Sequence, residues 1–350
     1  MIRLLRWILL PFTLIYQFII WFRNLLYDYN ILSSQKYSIP TIVIGNLAVG
    51  GAGKSPMTEY LIRLLKDKYK LATLSRGYGR KTKGFKIVDS YSKAIEVGDE
   101  PLQFKNKFPD ITVAVDENRC EGVEFLQDNH QLIILDDAYQ HRKLAPGFSL
   151  LLFDYKSLFG PKILLPTGNF RDIFSSSKRA DIIIITKCPQ HIPEEKKQYI
   201  EQQIHAHNRC PIFYSKISYS QPINAFTKEQ LSYKFKDSNI VLFSGIANPK
   251  PLIDFLNEDN TVKTINFSDH HNYTAKDFDN IIDVYNKQNA NAIIVTTEKD
   301  IQRVDISIFN GLPLFYIPIQ MEFLYNENTK FNQIIENYIN TQVSIKPFDS

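Results

Sequence analysis

One stretch of the sequence, IPTIVIGNLAVGGAGKSP at residues 39–56, constrains the fold more than any other. Its β-branched run at 41–44 predicts a strand, and a helix-compatible segment follows at 56–68. The loop between them contains four glycines and ends in Lys54 and Ser55. Glycines let consecutive backbone N–H groups turn toward one anion, and the following helix adds the positive end of its dipole. This order of elements therefore predicts a phosphate-binding loop.

The phosphate-binding loop also predicts which residues contact ATP and Mg²⁺. Lys54 would reach the β- and γ-phosphates, and the hydroxyl of Ser55 would bind Mg²⁺. Ala48 replaces the first glycine of the usual G-x-x-x-x-G-K-[ST] pattern, but it is small enough to keep the prediction. The competing interpretation is a glycine-rich turn that precedes Lys-Ser by chance. The predicted nucleotide-binding residues are Ala48, Val49, Gly50, Gly51, Ala52, Gly53, Lys54 and Ser55.

A second polar cluster follows the apolar strand predicted at 131–135. Asp136 and Asp137 come directly after it, and Gln140 and His141 follow. A buried strand that ends in an acid is where a P-loop enzyme keeps its magnesium carboxylate. Two adjacent carboxylates repel each other unless a cation lies close by. We therefore predict that Asp136 or Asp137 binds Mg²⁺, the alternative being an Asp-rich turn.

The remaining pattern predicts an α/β fold with two domains. Strands with few polar breaks are expected at 71–75, 112–115, 149–153 and 181–186. Such strands are typical of a parallel sheet that helices cover on both faces. The chain turns polar at 218–237, where we place a link between domains. We predict a P-loop NTPase-like parallel-sheet domain at 36–220, completed by 310–350, and a smaller α/β domain at 238–309.

The N-terminal segment, residues 1–30, predicts a membrane-associated helix. Residues 7–22 carry no charge, and Arg3, Arg6 and Arg23 flank them. A helix of this length spans about 24 Å, which is less than the hydrocarbon core of about 30 Å. We therefore favour a helix that lies in the cytoplasmic face of a membrane. A short spanning helix and a buried core helix are the alternatives.

The net charge and the cysteine spacing limit the binding partners and the cellular compartment that we expect for this chain. The net charge of the 350 residues is only +4, so we do not expect nucleic acid as a partner. The three cysteines, Cys120, Cys188 and Cys210, lie far apart and form no C-x-x-C motif. Neither a disulfide framework nor a zinc site is therefore expected, and a reducing, cytoplasmic setting fits best.

Polar loops at other strand ends supply further candidate residues. Arg76 and Tyr78 follow the strand at 71–75 and put positive charge at the edge where α/β sheets bind ligands. Asp99 and Glu100 begin a predicted helix, where the helix dipole favours acids in any case. His270 and His271 lie together in the second domain. Neighbouring histidines on a strand would point to opposite sides, so we expect one functional histidine rather than a metal pair.

In this order, the motifs resemble those of the tetraacyldisaccharide 4′-kinase family, the lipid A 4′-kinases. The matching stretches are GNLAVGGAGKSP, SRGYGR, VGDEP, DDAYQH, LPTGNFRD, FSDHH and TTEKD, between residues 45 and 300. The departures are small. The family usually has threonine at the positions of Ala52 and Ser55, DDGFQH in place of DDAYQH, and LPAGPxRE in place of LPTGNFRD. The last change puts Asp172 where the family has glutamate, and so leaves the role of this acid open.

The resemblance implies a peripheral enzyme at the cytoplasmic face of an inner membrane. Such an enzyme transfers the γ-phosphoryl group of ATP to the 4′-hydroxyl of a tetraacylated glucosamine disaccharide 1-phosphate, which binds between the two domains. It also implies that Asp99 accepts the proton of the sugar hydroxyl and that His270 is its partner, with Lys54 as the third catalytic residue. Candidate substrate contacts are Arg76, Tyr78, Glu100, Gln140, His141 and Arg171.

Three of these roles stay open, and two other functions compete. Arg171 could instead stabilise the transferring phosphoryl group, and Gln140 and His141 could orient the metal ligands. A membrane-associated P-loop ATPase switch is the main alternative function. A soluble small-molecule kinase with the N-terminal helix in its core is another.

Overall fold

The computed structural model describes residues 6–231, 235–288 and 291–344. The strands in this part of the chain are β1 (Thr41–Asn46), β2 (Leu71–Ser75), β3 (Lys86–Val88), β4 (Thr112–Val115), β5 (Leu132–Leu135), β6 (Phe148–Asp154), β7 (Ile182–Thr186), β8 (Ile212–Tyr219), β9 (Ile223–Asn224), β10 (Asn239–Ser244), β11 (Thr261–Asn266), β12 (Ala292–Thr297), β13 (Leu314–Ile317) and β14 (Ile319–Phe323). They form two sheets, and the phosphate-binding loop belongs to the larger one.

The larger sheet has nine strands in the order β14-β8-β7-β6-β1-β5-β2-β4-β3. Its central strands are parallel, with β1 between β5 and β6. Only the outermost pairs, β3 with β4 and β14 with β8, run antiparallel. Strands β1, β2, β5 and β7 are buried along their whole length, as expected for a parallel sheet that is covered on both faces. The predicted α/β fold class is confirmed.

The helices are α1 (Leu10–Asp28), α2 (Lys54–Leu65), α3 (Ala94–Val97), α4 (Asp99–Lys107), α5 (Arg119–Leu126), α6 (Glu194–His205), α7 (Lys250–Asn257), α8 (Ala275–Asn286) and α9 (Asn328–Ser344). Helix α2 buries Met57, Leu61 and Ile62 against the larger sheet. Phe331 and Ile335 of α9 enter the same core, so the end of the chain packs beside the phosphate-binding helix.

The smaller sheet has five strands in the order β11-β10-β12-β13-β9. Residues 314–317 were expected to help complete the first domain, but they form β13 and pair with β12. The chain returns to the larger sheet only at β14, which pairs with β8. Strand β9 lies inside the segment 218–237 that was expected to be a link, and it pairs with β13. Strand β9 is only two residues long, which is too short for an alternating pattern to predict it.

Helix α1 follows a 3₁₀ turn at Arg6–Leu9 and has Pro11 in its first turn, where proline fits without a kink. The stretch Arg6–Asp28 is long and apolar enough to cross a membrane, by length and composition only. Very little of it is buried, whereas a core helix would be covered. Its exposed side chains include Trp7, Ile8, Phe12, Ile15, Phe18, Ile19 and Phe22.

Candidate active site

The phosphate-binding loop lies where β1 ends and α2 begins. Gly53 adopts a left-handed conformation with φ 81°, which a side chain would strain, and Lys54 follows as the first residue of α2. The helix therefore starts two residues earlier than position 56, where the sequence predicted it. Lys54 and Ser55 consequently lie in its first turn, where backbone N–H groups have no helical partners and favour an anion.

The LPTGNFRD segment contacts the first residues of the phosphate-binding loop, at positions 47–49. The backbone N–H of Val49 donates to the carbonyl of Asn169 at 2.8 Å, and Ala48 forms a β-bridge with Phe170. The N–H of Arg171 donates to the carbonyl of Leu47 at 2.8 Å. The two segments thus run side by side, which fixes the backbone around Ala48 even without the usual glycine.

Asn46, the last residue of β1, connects several of the predicted site residues. Its side-chain oxygen accepts hydrogen bonds from Lys54 Nζ at 3.2 Å and from Arg171 Nη2 at 2.6 Å. Its backbone carbonyl accepts one from Gln140 Nε2 at 2.7 Å. Asn46 is buried, and sequence reasoning missed it. The available signal was a polar residue at the carboxyl end of a buried strand.

The two acids at the end of β5 have different surroundings. Asp136 is buried and accepts a hydrogen bond from Thr58 Oγ1 at 3.2 Å. Burial, and then repulsion from Asp137, raise the pKa of Asp136 to about 6. Burial would also raise the pKa of Asp137, but the cations of Lys54 and Arg171 outweigh it and hold this pKa below the ordinary value. Lys54 Nζ lies 3.7 Å from Asp137 Oδ1, and Arg171 Nη1 lies 3.2 Å from Oδ2.

This arrangement fits a magnesium ion bound together with phosphates. Mg²⁺ usually takes one or two carboxylates and completes its octahedron with phosphate oxygens and water. Burial and Asp137 raise the pKa of Asp136 more than the nearby charge of Lys54 lowers it, so a further cation beside this carboxylate would be favourable. Within the described residues, no group of three or more His, Cys, Asp or Glu side chains could hold a metal by itself. A cation at Asp136 would therefore need oxygens from the nucleotide.

Asp99 and His270 meet across the two sheets. Asp99 begins α4 and His270 lies in the turn after β11, yet His270 Nδ1 is 2.9 Å from Asp99 Oδ2. Arg303 Nε forms an ion pair with the same carboxylate oxygen at 3.3 Å. The two histidines lie in the turn after β11, which ends at Asn266, so the alternation of a strand does not apply to them. His271 nevertheless points elsewhere and contacts Asp277 at 3.0 Å.

Tyr78 and Asp99 are brought close by a tight contact between their loops. Gly77 and Gly98 both have positive φ, and a Cβ on Gly98 would come within 3.1 Å of the Gly77 backbone. The exposed ring of Tyr78 lies with its centroid 5.3 Å from that of His270. Three predicted residues therefore share one corner of the molecule.

Lys299, in the TTEKD turn, was not singled out from the sequence. Its ammonium lies 3.0 Å from His270 Nε2 and 3.0 Å from Glu100 Oε1. The negative charge of Glu100 also helps to raise the pKa of Asp136. Glu100 is therefore close enough to interact electrostatically with the acidic pair. The TTEKD motif was recognised in the sequence, and its only cationic residue, Lys299, could have been chosen as a candidate from that motif.

Arg76 and His141 lie among other cations. Arg76 is exposed, whereas His141 is half-buried. Burial, and then the positive charge of Arg119, lower the pKa of His141 to about 4, so it is neutral near pH 7. Arg119 is itself buried and donates to the backbone carbonyls of Asp116 at 3.0 Å and Asp137 at 3.4 Å. Burial lowers the pKa of Arg119 to about 10. Sequence reasoning missed Arg119, because it belongs to none of the recognised motifs.

Asp172 contacts the N-terminal helix. This buried acid accepts hydrogen bonds from Asn24 Nδ2 at 2.9 Å and from Ser176 Oγ at 2.8 Å, and it pairs with Arg179 at 3.2 Å. Thr13 in α1 also donates to Thr167 at 2.8 Å. The LPTGNFRD segment therefore joins the phosphate-binding loop on one side to α1 on the other.

A parallel sheet with a Lys-Ser phosphate-binding loop at one strand end and an acidic pair at the next defines a P-loop nucleotide-binding protein. The sequence profile described as LpxK, tetraacyldisaccharide-1-P 4′-kinase, matches residues 5–340. The chain belongs to this family, as its motifs predicted.

Curated relatives and a solved structure agree with this assignment. The tetraacyldisaccharide 4′-kinase of Flavobacterium johnsoniae is 43% identical over 340 residues, which cover 96% of this chain and 98% of the relative. That of Bacteroides thetaiotaomicron is 37% identical and covers 97% of this chain and 94% of the relative. The crystal structure of LpxK from Aquifex aeolicus in complex with ATP is 30% identical, with a TM-score of 0.76 over 96% of this chain and 99% of that one.

Proposed function

We propose that this chain transfers the γ-phosphoryl group of ATP, bound with Mg²⁺, to the 4′-hydroxyl of tetraacyldisaccharide 1-phosphate at the cytoplasmic face of the inner membrane. The family supports the reaction class, and an LpxK structure is described in complex with ATP. The observation that carries the proposal is the meeting of Asp99 and His270 beside a phosphate-binding loop. An acid–histidine pair can accept the proton of an attacking alcohol. A P-loop protein that only hydrolyses ATP does not need such a pair for an alcohol substrate.

Lys54 and the loop amides would bind the nucleotide phosphates. In the present structure Lys54 contacts Asn46 and Asp137, and its ammonium would exchange these oxygens for those of the β- and γ-phosphates. Ser55 and Asp136 or Asp137 would hold Mg²⁺, which when bound neutralises charge on the transferring phosphoryl group. Arg171 would keep Asp137 oriented while Lys54 moves to the nucleotide.

Asp99 would accept the proton of the attacking 4′-hydroxyl. A general base must lie within hydrogen-bond reach of that hydroxyl, and Asp99 begins a helix at the corner that faces the acidic pair. His270 and Arg303 both contact the same oxygen of Asp99, so they fix the orientation of the carboxylate. Because His270 comes from the smaller sheet, the substrate would lie between the two predicted domains.

The acyl chains and the phosphate of the substrate would extend from this corner. Tyr78, Arg76, Gln140 and His141 are the proposed contacts with the disaccharide and its 1-phosphate. Helix α1 would lie in the membrane surface with its exposed apolar side chains, while Asn24 and its neighbours on the opposite face hold it to the protein. A lipid substrate can then reach the site without leaving the membrane.

The direct test mixes the purified protein with detergent-dispersed tetraacyldisaccharide 1-phosphate and ATP labelled in the γ-phosphate. We expect label on the lipid, loss of transfer when Mg²⁺ is chelated, and transfer that is about 10²–10³-fold less efficient in the Lys54→Met variant. Label released only as inorganic phosphate would instead support the ATPase switch. Equal transfer to a water-soluble disaccharide after deletion of 1–30 would support a soluble small-molecule kinase.

A further inference from the structure

Both ring nitrogens of His270 face charged partners. Nδ1 lies 2.9 Å from the carboxylate oxygen Oδ2 of Asp99, and Nε2 lies 3.0 Å from the ammonium of Lys299. Asp99 belongs to the larger sheet's domain, whereas Lys299 and His270 come from the smaller one. The imidazole is thus clamped between an acceptor on one side and a cation on the other.

The chemistry of the two partners fixes the proton on the ring. An ionised carboxylate only accepts hydrogen bonds, and a lysine ammonium only donates them. Nδ1 must therefore carry the hydrogen that Asp99 accepts, and Nε2 must present its lone pair to Lys299. We infer that Lys299 is a positioning residue that holds His270 as the neutral Nδ1–H tautomer. The sequence comparison and the motif roles proposed above assign no task to Lys299.

Lys299 is itself held in place from several directions. Its ammonium forms an ion pair with Glu100 at 3.0 Å. The turn that carries it is fixed by the buried Asp300, which accepts hydrogen bonds from Gly245 N at 3.0 Å and Thr297 Oγ1 at 2.7 Å. Glu298, on the other side, pairs with Lys107 of α4 at 2.7 Å. A cation on so firmly held a turn can select one tautomer of its neighbour.

This inference rests on the proposed function for its consequence. If Asp99 is the base, its free oxygen must point at the sugar hydroxyl, and a hydrogen bond from Nδ1 to Oδ2 keeps it so. Without Lys299, the ring can carry its hydrogen on Nε2 instead. Asp99 then loses the hydrogen bond from His270 and keeps the ion pair with Arg303. Lys299 contacts His270 and Glu100 rather than the reacting atoms, so it acts through His270.

The experiment combines histidine ring NMR with kinetics on the full-length protein in detergent. Ring nitrogens are labelled with ¹⁵N, and the His270 signals are assigned from their absence in His270→Gln. The wild-type protein is compared with Lys299→Met, Lys299→Arg and Lys276→Met, the last an exposed lysine on α8 of the same sheet. Transfer of labelled phosphate to the disaccharide gives kcat and KM for each variant.

We expect wild-type His270 to show a protonated Nδ1 and an unprotonated Nε2. Lys299→Met should lose this pattern and lower kcat by about 10²-fold, with KM for ATP within about twofold, as misplaced catalytic groups do. Lys299→Arg, which also only donates, should keep the tautomer and most of the rate, and Lys276→Met should match the wild type.

A wild-type ring protonated on Nε2, or on both nitrogens, would overturn the inference without any variant. An unchanged tautomer and kcat in Lys299→Met would overturn it as well. Failure of the wild-type protein to label the lipid is a different result, because it contradicts the proposed function while the NMR spectrum still decides the tautomer.

Discussion

The phosphate-binding site and the Asp99–His270 pair are built in opposite ways. Asn46 ends β1, Asp137 follows the neighbouring strand β5, and Lys54 begins the helix after the phosphate-binding loop and contacts both. Asp99 and His270 are 171 residues apart and meet only because two sheets pack together. The first site is set by local sequence and strand order. The second site depends on the contacts that fix the position of the two sheets relative to each other.

The largest effect should follow from breaking the pair between the sheets. Asp99→Ala or His270→Ala should lower kcat by about 10²–10⁴-fold, because the sugar hydroxyl loses its proton acceptor or the orientation of that acceptor. The affinity for ATP should change little, since the phosphate site keeps all its contacts. Steady-state kinetics with Mg-ATP and the disaccharide measure both quantities, and parent-like turnover of both variants would refute the assignment.

Breaking the phosphate site should give the opposite kinetic signature. Lys54→Met should lower kcat/KM for ATP by about 10²–10³-fold, the usual cost of removing one stabilising charge from a reacting group. Binding of a fluorescent ATP analogue should weaken in parallel, unlike in the Asp99 and His270 variants. Lys66→Met is the control, because this partly exposed lysine directly after the same helix pairs with Asp67, at the far end of the helix from the phosphate-binding loop. Normal ATP binding by Lys54→Met would contradict the site.

The same contrast explains how much the sequence could predict. The loop at 39–56 combines a strand, glycines and a helix within eighteen residues, so its structure follows from local rules. Asn46 was missed because an amide at a strand end has no pattern of its own. Lys299 and Arg119 were missed because their partners, His270 and the Asp137 backbone, become neighbours only in three dimensions. The Asp99–His270 pair was predicted from family resemblance, not from the residues alone.

A chain of charges joins the three elements that carry the site. Lys107 at the end of α4 pairs with Glu59 of α2 at 2.8 Å and with Glu298 of the TTEKD turn at 2.7 Å. Arg63 adds a second cation to Glu59 at 2.9 Å, and Gln103 donates to Glu59 at 2.8 Å. Lys107 therefore joins the phosphate-binding helix, the Asp99 helix and the Lys299 turn, and it is the cation shared by both glutamates.

Removing that lysine should be costly. Lys107→Met leaves the buried carboxylates of Glu59 and Glu298 facing each other, and we expect a loss of about 3 kcal/mol in the free energy of unfolding. Urea unfolding measures it. Lys105→Met, on the same helix, should cost less, because Lys105 donates only to the backbone carbonyls of Pro109 and Ile111. Equal losses in the two variants would show that the ion pairs do not hold the sheets together.

Glu298 allows a finer test of the same contact through pH. Burial, and then repulsion from Glu59, raise the pKa of Glu298 from 4.5 to about 7, although Lys107 opposes the shift. Between these two values the folded protein keeps a proton that the unfolded chain has released. The stability that this proton contributes is complete below pH 4.5, falls as the pH rises, and is lost above about 7.

Glutamine at position 298 is neutral at every pH and so removes this dependence. Glu298→Gln should therefore gain stability relative to the wild type as the pH rises from about 5 to about 8, by about 2 kcal/mol. The exposed Glu195→Gln on α6 should show no such trend. A difference between Glu298→Gln and wild type that stays constant, or shrinks with rising pH, would mean that Lys107 keeps Glu298 fully ionised. A strong ion pair between Lys107 and Glu298 would then stabilise the contact between the two sheets, just as direct contacts between strand ends stabilise the phosphate site.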